Sequence, residues 1–137
     1  MNLSQIALHR AALALLPAAI LAGCATFQAT PEETVQKRAA EYWKARQAGD
    51  FKQVYELSTP SYRKLRTYEQ FRAQFGGSVG IASAEVTKVT CEPQKCVAKI
   101  KIGARPALPG MKLGTIPMYV DETWLLEDGR WWHYQEI

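Results

Sequence analysis

The chain reads as an α+β domain, helices first and a meandering antiparallel sheet after them. Three observations predict it. As far as Phe75 the apolar residues recur at helical spacing behind separate capping signals; from Glu85 onward they alternate with polar ones. Near the end, Asp128-Gly129 stands between two aromatic-rich runs, which is a strong hairpin turn.

Residues 1–23 stand apart from that domain. Arg10 is the only formal charge ahead of an apolar run, Ala11 to Ile20, and small residues follow it. This is the layout of a secretory signal. The run is too short to span a bilayer, and Pro17 interrupts it. Leu21-Ala22-Gly23-Cys24 then resembles a bacterial lipobox, in which the Cys thiol is diacylglycerylated and the chain is cut before it. The resemblance implies a removed signal at 1–23, a lipidated Cys24 with a tether at 24–29, and one domain at 30–137. Ala25 follows the Cys where enteric-type lipoproteins kept in the inner membrane carry Asp. An outer-membrane anchor facing the periplasm is therefore the expectation. An ordinary signal with a chance cysteine, or an uncleaved apolar anchor, is the alternative.

Without residues 1–23 the chain has 114 residues, 16 basic and 13 acidic side chains, and a net charge of +3. The charges are spread out, which argues against nucleic-acid binding. So mild a basic balance fits a solvated surface better than contact with anionic headgroups. If Cys24 carries lipid, Cys91 and Cys96 remain as an even pair in an oxidising setting, and a structural disulfide is expected. Their C-x4-C spacing is not the redox C-x-x-C motif. His133 is the only histidine beyond residue 23, too few for a zinc set. No metal and no cofactor are expected.

In order, Thr30-Pro31-Glu32-Glu33 opens a helix over Pro31–Gln47 with a capping box and Pro at the first position. Val35, Ala39, Tyr42, Trp43 and Arg46 form its inner face, and Gly49 stops it. Asp50 caps a second helix with Phe51, Val54, Tyr55 and Leu57 inward. Residues 58–61 break the pattern, and Tyr62 to Leu65 is a helical turn. Thr67-Tyr68-Glu69-Gln70 is another capping box, opening a helix with Phe71 and Phe75 inward. Glu85–Cys91 and Cys96–Ile102 follow as paired strands, with Cys96, Ala98, Ile100 and Ile102 on one face. If Cys91 lies opposite Cys96, Val89 faces Ala98, Thr87 faces Ile100, and Lys88 faces Lys99 on the wet side. Ala104–Gly114 is a loop that carries Leu108, Met111 and Leu113. Ile116–Glu127 and Arg130–Glu136 close the sheet. In that hairpin Leu126 pairs with Trp131 and Trp124 with His133 on one face. Leu125 pairs with Trp132 and Thr123 with Tyr134 on the other.

Over residues 31–137 this order resembles the nuclear transport factor 2-like superfamily. The carriers are the first helix, the Ala48-Gly49-Asp50-Phe51 step, Tyr55-Glu56-Leu57, and the closing Glu122-x-Trp124…Glu127-Asp128-Gly129-Arg130-Trp131. The resemblance implies a strongly bent sheet wrapped as a cone around the first helix. Members of the superfamily include isomerases, dehydratases and polyketide cyclases, which need a carboxylate base and a hydrogen-bond donor in an apolar cavity. The candidates are Glu122 and His133, with Tyr42 or Tyr55 as donor. Against that stands a bland arrangement, with Glu122 facing Gln135 and His133 packed beside Trp124. Tyr42, Trp43, Trp124 and Trp131 line a pocket for a small apolar ligand or make up plain core. Leu125, Trp132 and Tyr134 face outward and are the candidate interface for a second copy or an envelope protein, unless the Ala104–Gly114 loop covers them. The expected function is a non-catalytic binding or interaction module, tethered to the membrane through Cys24. A lipid-tethered isomerase or cyclase using Glu122 and His133 is the alternative.

Overall fold

The computed structural model describes residues 28–75, 80–106, 110 and 114–137. The lipobox and Cys24 lie outside the described residues, as do Leu108, Met111 and Leu113. Four helices are described: α1 (Pro31–Ala48), α2 (Phe51–Glu56), α3 (Pro60–Leu65) and α4 (Tyr68–Ala73). A four-stranded antiparallel sheet follows, with strands β1 (Gly80–Glu92), β2 (Lys95–Arg105), β3 (Ile116–Glu127) and β4 (Arg130–His133) in the order β1-β2-β3-β4. The sheet curls into a half-barrel whose hollow takes α1, and α1 touches both edge strands, β1 and β4.

Local chemistry accounts for the helix boundaries. The Thr30 hydroxyl accepts from the Glu33 amide while the Glu33 carboxylate accepts from the Thr30 amide, 3.2 and 3.0 Å. Gly49 ends α1 in the left-handed region at φ 72°, where its amide and that of Asp50 meet the Arg46 and Ala45 carbonyls. Asp50 then caps α2, and Thr67 with Gln70 makes the second capping box at α4. The expected turn at Tyr62 is a helix beginning at Pro60, because Thr59 caps it through the Tyr62 amide.

The core lies between α1 and the concave sheet face. Val35, Ala39, Tyr42 and Trp43 meet Cys96, Ala98, Ile100 and Trp124, with Val54, Tyr62 and Phe71 sealing the helical end. Burying one such large apolar side chain is worth about 1.5–3 kcal/mol, so this cluster supplies most of the drive to fold.

Several strand expectations need correction. Val86, not Thr87, faces Ile100, because a bulge between Val86 and Lys88 takes Thr87 out of the ladder. The Thr87 hydroxyl then donates to the Lys99 carbonyl, and the Lys88–Lys99 and Cys91–Cys96 pairings hold. At the chain end, β4 stops at His133 rather than Glu136. The His133 amide donates to the Leu57 carbonyl and its carbonyl accepts from the Thr59 amide, 2.9 and 3.1 Å. The free edge of β4 is thus occupied by the segment entering α3, and only the Tyr134 amide still reaches the Thr123 carbonyl. Ala104 and Arg105, read as loop, extend β2.

The hairpin register agrees with expectation throughout β4, from Glu127–Arg130 to Trp124–His133. Asp128 and Gly129 both have positive φ, 51° and 73°, as a two-residue turn of this hand demands. Cys91 and Cys96 form the expected disulfide across the β1–β2 turn. So short a loop adds roughly 2 kcal/mol in the chain-entropy picture, so the bond chiefly pins the register.

Candidate functional site

Glu122 and His133 come together on the concave face. β3 places Glu122 one inward position before Trp124, and the hairpin register sets His133 opposite Trp124. The His133 Nε2 lies 3.5 Å from the Glu122 Oε1, with both side chains nearly buried. The Leu57 and Thr59 backbone bonds fix the main chain at His133. Tyr42 of α1 stacks on the imidazole at 4.2 Å between centroids, and the Trp124 indole meets it edge-on at 5.5 Å. Gln135, which faces Glu122 in the bland arrangement, has its amide Nε2 3.2 Å from the His133 Nδ1.

Access separates this cluster from a working acid–base pair. Glu122 is 8 % exposed, His133 7 % and Tyr42 2 %. The Glu122 Oε2, the Ser58 Oγ and the Trp124 Nε1 are buried without a hydrogen-bond partner among the described residues. At 3.5 Å the carboxylate and the imidazole are neighbours without a hydrogen bond between them, and Tyr42 covers a face of the imidazole. Clefts lined by Arg46, Phe51 and Ile81, or by Arg38, Glu41 and Trp131, open elsewhere.

Burial pushes the Tyr42 hydroxyl up to about 12 from its usual 10.0; the Glu122 charge adds to the rise, and Arg46 and Gln135 pull the other way. Below pH 10 the phenol is neutral whether the chain is folded or not. Between about pH 10 and 12 the unfolded chain releases a proton that the folded one keeps, so stability falls as pH rises, by about 2–3 kcal/mol. Denaturant unfolding across that window should show the fall, and Tyr42→Phe should show a correspondingly shallower one.

The other sequence candidates divide between core and surface. Tyr42, Trp43, Trp124 and Trp131 all belong to the buried cluster, in which Tyr42 meets Trp43 and Trp124 edge-on. Tyr55, the alternative donor, turns away from the pair and gives its hydroxyl hydrogen to the Arg66 carbonyl, 2.7 Å. Leu125, Trp132 and Tyr134 do face outward; Tyr134 is 43 % exposed, whereas Leu125 and Trp132 are half-buried. Trp132 is not bare. Arg38, Arg63 and Arg130 bring their guanidinium carbons to 4.9, 5.1 and 5.7 Å from its ring, and its indole N–H donates to the Glu127 carbonyl. Sequence reasoning missed this arginine set. Arg130 and Trp132 share a strand face by alternation, which was a legible signal, whereas Arg38 and Arg63 arrive from separate helices.

Among the described residues no group of His, Cys, Asp and Glu is placed to hold a metal ion, and no helix is long and apolar enough to cross a membrane. No family model matches the chain, and no curated protein matches it. Among solved structures it is similar to a SEC-C motif-containing protein from Rhodopseudomonas palustris, at 17 % identity and a TM-score of 0.53. The match covers 77 % of this chain and 76 % of that one. At that identity the likeness concerns the fold alone.

Proposed function

We propose that the chain is a lipid-anchored, periplasm-facing envelope lipoprotein whose nuclear transport factor 2-like cone is a non-catalytic interaction module working from its outer surface. The observation that carries this reading is the burial of Glu122, His133 and Tyr42 beneath their own neighbours. The groups an isomerase or cyclase would use are part of the core, while aromatic positions such as Tyr119 and Tyr134 stand open on the convex face. Anchoring rests on the Leu21-Ala22-Gly23-Cys24 sequence and on the capped helix that starts only a few residues after it. A second reading, a small apolar ligand held by the cone, is favoured by Ile116 and Met118. These two are 47 % and 46 % exposed although they share the inward strand face of Glu122 and Trp124.

The test is Cys24→Ser expressed in a bacterium. Acylation supplies the anchor, and a single chain is marginal where two or more hold firmly, at about 0.8 kcal/mol per buried methylene. The variant should therefore remain unprocessed or appear in the soluble periplasmic fraction. Processing before residue 24 together with extraction only by detergent would contradict the anchor.

A further inference from the structure

We propose that the arginine cluster around Trp132 is the face by which the domain lies against an anionic phospholipid surface, an inference that rests on the lipid-anchored reading and names a partner for it.

Three elements contribute one cation each to a single indole: Arg38 from α1, Arg63 from α3 and Arg130 from β4. Among the described residues none of the three has a carboxylate within ion-pair distance; the pairs present are Lys99–Asp121 and Glu122–His133. Glu41 acts on Arg38 only at longer range, and the Glu127 carboxylate is taken by the Ser61 amide and hydroxyl, 3.2 and 2.8 Å. The Arg63 Nε donates to the Ser58 carbonyl, which fixes the side chain without neutralising it. Burial lowers the Arg38 pKa from its ordinary value; Glu41 opposes this and the Arg130 charge adds to it. Three cations gathered on one ring repel one another, and an arriving anion would relieve that repulsion.

Position says which anion. Ala29 lines the same cleft as Lys37, Arg38 and Arg130, so the chain leaves the domain toward Cys24 at this end. Five residues reach at most about 18 Å even when fully extended. An acylated Cys24 therefore keeps the cluster within headgroup range. Guanidinium groups match phosphodiester oxygens in a bidentate fork, and indoles favour the membrane–water interface. An aromatic–arginine patch also suits protein contacts, and the experiment separates the two.

Full-length protein is placed in vesicles of phosphatidylcholine with increasing phosphatidylglycerol, carrying a headgroup spin-labelled lipid. The signal is the tryptophan quenching present in the wild type and missing in Trp132→Phe. Quenching of Trp132 should grow with phosphatidylglycerol and be reversed by high salt. Each of Arg38→Gln, Arg63→Gln and Arg130→Gln should weaken docking about fivefold, and the triple variant about a hundredfold. Thermal unfolding of each variant is run alongside, and only variants that fold as the wild type are compared. Equal quenching with and without phosphatidylglycerol overturns the proposal, as does a triple variant that docks like the wild type. Self-association that is lost in Trp132→Phe while quenching stays absent assigns the patch to a protein contact and equally overturns it. The mass of the N-terminal peptide reports acylation separately. If it shows no acyl chain the anchor reading fails, and protein added to preformed vesicles still reads the patch.

Discussion

His133→Phe alone should lower stability by about 3–5 kcal/mol, and adding Glu122→Leu should restore most of the loss. The pair sits inside the core with a 3.5 Å separation and side-chain exposures of 9 % and 8 %. Removing the imidazole leaves a buried carboxylate whose second oxygen already has no partner among the described residues. Removing both groups leaves an apolar space between Tyr42, Trp124 and Ala98, which Leu and Phe can fill. Urea unfolding of the two single variants and the double variant gives the coupling directly. A pair built for turnover rather than packing would be more exposed, and the single change would then cost far less.

Trp124→Ala should cost a similar amount, about 3–5 kcal/mol. Trp124 is 0 % exposed, meets Tyr42 and His133 edge-on, and stands opposite Cys96 at the centre of the sheet. Tyr134→Ala, by contrast, removes a side chain that is 43 % exposed and should stay within about 0.5 kcal/mol of wild type. If thermal unfolding reverses that order, the two faces of the hairpin have been exchanged by a one-residue slip.

The parts of the fold legible in the sequence are those fixed by local chemistry. Thr30 with Glu33, Thr67 with Gln70, Gly49, and the Asp128-Gly129 turn each satisfy backbone groups within a few residues, so their meaning survives without the rest of the chain. Alternation in Cys96 to Ile102 gave the buried face of β2 for the same reason. The hairpin register then placed His133 beside Trp124, and with it the Glu122–His133 pair. What was not legible depends on elements far apart in sequence. The bulge at Thr87 answers to sheet curvature, and the early end of β4 answers to the Leu57–Thr59 segment that occupies its edge. Trp132 looked uncovered because nothing near it in sequence except Arg130 could reach it, while Arg38 and Arg63 approach through tertiary packing.

The same distinction applies to the candidate site. Proximity of Glu122 and His133 followed from strand period and turn length. Their burial did not, because it is α1 that lays Tyr42 over them.

The proposed outer-surface role requires a filled concave core. The most direct measurement is attenuation of the four tryptophan indole N–H signals by a soluble paramagnetic chelate in nuclear magnetic resonance. The half-buried Trp132 should lose most intensity, Trp43 and Trp131 little, and the fully buried Trp124 least. Attenuation of Trp124 equal to that of Trp132 would mean that the half-barrel admits solvent to the Glu122–His133 pair, and would contradict that role.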